Sequence, residues 1–143
     1  MKSVSIMAKI VSWLTGIVLL VLVCYLYLSP DPHFGSTIPL SHETPMKGNA
    51  KLFGSEDSLL TKSACEAIMH SVKSAKGGGP VHACPPFGSI AIEYSNGDTN
   101  TFTIMRGHRM GRVDLIFQGR CYSMSSQRLF GTLAQVGIKM ETD

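Results

Sequence analysis

An uncharged run of nineteen residues, Ile10 to Leu28, constrains this chain more than any other stretch. Its length is close to the ~20 apolar residues that cross the hydrocarbon core of a bilayer as a helix. On this reading residues 10–28 are a transmembrane helix, and everything after them lies on one side of a membrane. Lys2, Lys9 and the terminal amine precede the run, and no Lys or Arg follows it until Lys47. Positive charge is retained on the cytoplasmic side. The expectation is therefore a single-pass signal-anchor, with residues 1–9 cytoplasmic and the C-terminal domain on the periplasmic side of a bacterial inner membrane. Trp13 near one end, with Tyr25 and Tyr27 near the other, suits the two interfaces. A cleaved signal peptide is the competing reading, but Tyr27 and Pro30 around Ser29 fit poorly with a small-residue cleavage site. Ser12 and Gly16 form a small-xxx-small pair through which a second helix could approach.

The rest of the chain is enough for one small domain with its own core. The formal charge of +3 is misleading, because residues 30–143 hold eleven Lys and Arg against ten Asp and Glu, a net of +1. Nucleic-acid binding needs a strong basic footprint, so this balance argues against it. The chain has no Asn-x-Ser/Thr sequon, which favours a bacterial envelope protein over a eukaryotic secretory one.

Pro30, Pro32, Pro39 and Pro45, interleaved with Gly35, Gly48 and Gly54, read residues 29–56 as an extended tether. The domain then occupies 57–143. Asp57 and Ser58 open a helical pattern in which Leu59, Leu60, Ala64, Ala67, Ile68 and Val72 recur at three- and four-residue spacing. Gly77-Gly78-Gly79-Pro80 reads as its stop. Ile90, Ile92 and Tyr94 alternate with polar or small residues as in a half-buried strand. Asn96-Gly97 signals a hairpin, Phe102 and Ile104 return, and Val113, Leu115 and Phe117 form a third strand. Gln118-Gly119 turns into a short fourth strand, Arg120 to Met124. Ser125 or Ser126 caps a last helix whose stripe is Leu129, Phe130, Leu133 and Val136. The expected fold is thus α+β: the transmembrane helix, then a helix, a three- or four-stranded antiparallel sheet and a final helix.

Three constellations could carry chemistry. Outside the apolar run lie Cys65, Cys84 and Cys121, and an oxidising compartment permits one disulfide. Cys65–Cys84 is the expected structural staple, with Cys84–Cys121 as the alternative pairing. Their spacing is not that of a redox dithiol. His82 near Cys84, His108 near Met110, and Met69 beside His70 are soft ligands suited to copper, but no tight cluster forms, so neither a metal nor a cofactor is expected. The loop Arg106-Gly-His-Arg-Met-Gly-Arg112 places Arg106, His108, Arg109 and Arg112 between two strands, where arginine can grip carboxylate or phosphate. These four are the candidate partner-binding residues. No nucleophile elbow, zinc-protease or phosphate-loop motif occurs, and Glu66, Glu93 and Asp114 stand isolated in sequence. No enzyme is expected. The leading function is a membrane-anchored accessory or protein-interaction domain, a non-catalytic subunit of an envelope complex. The alternatives are an immunity-type binder of a secreted toxin and a thiol or copper-handling factor.

Overall fold

A computed structural model describes residues 11–23, 35–79, 81, 83–107 and 109–138. The chain divides into two units, the second beginning at His33. In the first, residues 11–23 form α1, an α-helix whose apolar side chains are all exposed. At ~1.5 Å per residue it is about 20 Å long, short of the ~30 Å hydrocarbon core. Among the described residues no helix is long and apolar enough to cross a membrane. This corrects the expected span over 10–28, and with it the single-pass, signal-anchor placement. Residues 10 and 24–28 lie outside the described residues, as do Lys2, Lys9, Tyr25 and Tyr27.

The second unit runs β1 (Pro45–Leu52), β2 (Ser58–Leu60), α2 (Lys62–Val72), β3 (Lys76–Gly79), β4 (Pro86–Tyr94), β5 (Thr99–Arg106), β6 (Arg112–Phe117), β7 (Arg120–Ser125) and α3 (Ser126–Gln135). All seven strands join one antiparallel sheet in the order β2-β1-β4-β5-β6-β7-β3. The expected sheet of three or four strands is thus too small. The extra strands come from stretches with weak side-chain patterning. Pro45 sits at the first residue of β1, where proline is tolerated, and Ala50 and Leu52 are buried while Lys47, Asn49 and Lys51 are exposed. The helix expected from Asp57 begins at Lys62 instead. Ser58–Leu60 pairs with β1, and the Thr61 hydroxyl caps the helix by accepting from Ala64 N–H at 3.3 Å. The glycine run is strand β3, held to β7 by backbone alone. Its outer side is covered by residues 35–37, through Gly35 N–H to the Gly77 carbonyl and Gly77 N–H to the Ser36 carbonyl.

One sheet face carries Ala50, Ile90, Ile92, Phe102, Ile104, Leu115, Tyr122 and Met124, which form a single core with Cys65, Ile68 and Val72 of α2 and Leu129 and Leu133 of α3. Phe102 and Phe117 stack with centroids 4.9 Å apart. The opposite face is largely polar, with Lys47 paired to Glu93 at 3.3 Å across β1 and β4. Yet Met105, Asp114 and Cys121, on that face of β5, β6 and β7, are buried. The reason is topological. From β3 at one edge the chain must reach β4 beyond β7, β6 and β5. The crossing begins level with Cys121, where Gly79 pairs, and ends level with Met105, where Pro86 pairs. α2 and α3 pack on the other face, and a connection passing over the polar face would cover these three side chains.

Candidate partner-binding surface

Hairpin register gathers arginines at one end of the sheet. Arg106, the last residue of β5, pairs with Val113, the neighbour of Arg112. Arg112 pairs with Ser125 and donates from Nε to the Ser123 hydroxyl at 2.9 Å. Ser125 in turn caps α3, its hydroxyl accepting from Arg128 N–H at 3.4 Å. The intervening turn is fastened by Arg112 N–H to the Arg109 carbonyl and by Ser126 N–H to the Gly111 carbonyl. Four arginines, at 106, 109, 112 and 128, therefore stand around one turn and one helix start, all exposed. None of them forms an ion pair among the described residues, whose salt bridges use Lys47 and Lys51 instead. Met110 at the turn is fully exposed. His108, the remaining expected contact residue, lies outside the described residues.

Aromatic rings line the same end. Pro86 pairs with Met105, next to Arg106. The following residue, Phe87, meets Phe130 of α3 edge-on, with centroids 6.3 Å apart. Its carbonyl accepts from Phe53 N–H at 2.6 Å, and the Phe53 ring is 84 % exposed. Phe53, Phe87, Pro86 and Leu52 wall a recess of about 410 Å³. Sequence reasoning finds the arginine loop because its residues are contiguous. It misses Arg128, Phe53 and Phe87, which reach this end only through the β1–β4 and β6–β7 registers. Phe130, expected in the core, is half-buried against its edge.

No known family model, no curated protein and no solved structure matches this chain.

A second concavity, of about 640 Å³, lies between residues 37–45 and α2, with His42, Glu43, Glu66, His70 and Lys73 along its rim and Tyr94 within it. The Tyr94 hydroxyl is already satisfied, accepting from Asn100 Nδ2 at 2.9 Å and donating to Met69 Sδ at 3.4 Å. Burial raises its pKa, while the Asn100 bond works in the opposite direction. Among the described residues no group of three or more His, Cys, Asp or Glu is placed to hold a metal. His82 lies outside the described residues.

Cys65, Cys84 and Cys121 are free cysteines. Cys65 lies on the helix side of the sheet, beneath Gly48, whereas Cys121 lies on the opposite face and Cys84 in the connection between β3 and β4. Burial pushes the Cys65 thiol up, and burial together with the Asp114 charge pushes Cys121 up to about 11. Both are therefore protonated, weakly nucleophilic thiols at neutral pH. On α1, Ser12 and Gly16 stand about one turn apart, with open space around Gly16.

Proposed function

We propose that the sheet domain is a non-catalytic protein-interaction module that engages its partner through the arginine end. One observation carries this reading: four exposed arginines gather around the β5–β6 turn and the start of α3, beside exposed Met110 and at the sheet end that also carries exposed Phe53, with no acidic side chain paired to them among the described residues. Arginine and aromatic residues are enriched where proteins meet. An exposed, uncompensated charge cluster does little for the fold that bears it.

The test compares the full chain with an Arg106→Ser, Arg109→Ser, Arg112→Ser variant. Surface changes of this kind usually shift stability by no more than about 0.5 kcal/mol each, so the melting temperature should fall by about 10 °C at most. Affinity purification after cross-linking should retain a stoichiometric protein partner with the parent chain and lose it with the variant. Retention of that partner by the variant would overturn the proposal.

A further inference from the structure

Resting on the reading that the arginine end is the contact surface, we infer the chemistry of what it takes: an extended acidic segment carrying one large apolar side chain. The arginines meet the carboxylates, and the apolar side chain enters the recess beside Phe53. Charge complementarity selects the acids, since Arg106, Arg109 and Arg128 have no acidic counterpart among the described residues and guanidinium favours bidentate contact with carboxylate.

The recess selects the apolar anchor. Its walls include Leu52, Phe53, Pro86 and Phe87. The Phe53 ring, 84 % exposed at its rim, gains most from being covered. Lys51, also at the recess, is engaged with Asp57 at 3.5 Å. The arginines, which carry the cationic charge not ion-paired at this end among the described residues, stand around the β5–β6 turn and the start of α3 and are not part of the recess wall. A matching segment has its acids to one side of its anchor.

The same rings argue against single-stranded nucleic acid. Such ligands stack successive bases on successive open ring faces along a basic groove. Phe87 and Phe130 are engaged edge-on with one another at 6.3 Å, which leaves Phe53 as the free platform. Four arginines at one end also make a short track beside a domain of net charge +1 over residues 30–143.

The experiment measures fluorescence anisotropy of the full chain with labelled ten-residue peptides. One is Glu/Asp-rich with a central Phe, one is the same peptide with a central Ala, and one is Lys-rich with a central Phe. A ten-residue oligothymidylate and phosphatidylglycerol vesicles complete the panel. The acidic Phe peptide should bind at least tenfold more tightly than any other probe. Phe53→Ala should abolish the preference for Phe over Ala, and the triple Arg→Ser variant should abolish the salt dependence. The inference is overturned if no peptide binds, if the Lys-rich peptide, the oligonucleotide or the vesicles bind as well as the acidic Phe peptide, or if Phe53→Ala keeps the preference. Should that happen while the triple variant still releases its protein partner, the contact surface stands and the partner chemistry falls.

Discussion

Leu133 and Phe130 sit three residues apart on α3 and should respond very differently to truncation. Leu133 has no exposed surface, whereas Phe130 is half-buried and touches Phe87 by an edge. Leu133→Ala empties a closed core site and should cost about 2–5 kcal/mol in denaturant unfolding. Phe130→Ala removes a ring already partly in water, so roughly 1–2 kcal/mol is expected. Equal losses at the two positions would mean that α3 packs with a different face toward the sheet. The contrast also shows that the stripe read from sequence has a margin, since Phe130 and Val136 are only partly buried where they pack against the core. Spacing of three and four gives the centre of an apolar stripe, but its margin is set by what lies opposite. Here Phe130 meets the end of β4 instead of the middle of the sheet.

α2 and β1 are in close contact because Gly48 has no side chain. A Cβ there would run into the Ala91 carbonyl and lie 3.2 Å from Cys65 Sγ and 3.3 Å from Leu60 Cδ1. Gly48→Ala should therefore destabilise by about 1–3 kcal/mol, the usual range for overpacking. A melting temperature equal to the parent's would show that α2 can lift without penalty. Nothing in the sequence announces this contact, for Gly48 lies among prolines and glycines that resemble a linker. The four strands from β4 to β7 are legible because each carries period-two alternation, and because Asn96-Gly97 and Gln118-Gly119 supply the positive φ their turns need, 86° at Gly97 and 72° at Gly119. β2 is too short to show a period, and β3 has three glycines and no pattern to show. The candidate surface divides in the same way. A contiguous arginine loop can be read from sequence, whereas a recess between Phe53 and Phe87 depends on which strands become neighbours.

The sheet acts as a partition for the whole domain. Cys65 is on the helix side and Cys121 on the other, and a β3–β4 connection that covers the buried Cys121 would bring Cys84 to that second side. Mild oxidation by a small disulfide such as oxidised glutathione, followed by peptide mapping, should link Cys84 to Cys121 in preference to Cys65. In the reduced chain Cys84, which is partly exposed, should alkylate before the two buried thiols. A Cys65–Cys84 bridge as the main product would require the crossing to pass on the other side of the sheet, and a crossing over Met105, Asp114 and Cys121 would be ruled out.

Strand order also sets a timetable for assembly. β4 to β7 form a meander whose neighbours follow one another in the chain, so these pairings close short loops and can form early. The segments made first by the ribosome, β1 to β3, have their places on the two flanks of that meander, beside β4 and β7. During synthesis the N-terminal half therefore emerges before the meander that will receive it, with α2 bare and the glycine strand unpaired. The strand order thus favours completing the domain from its C-terminal half outward, with β1 and β3 clasped onto the meander's flanks.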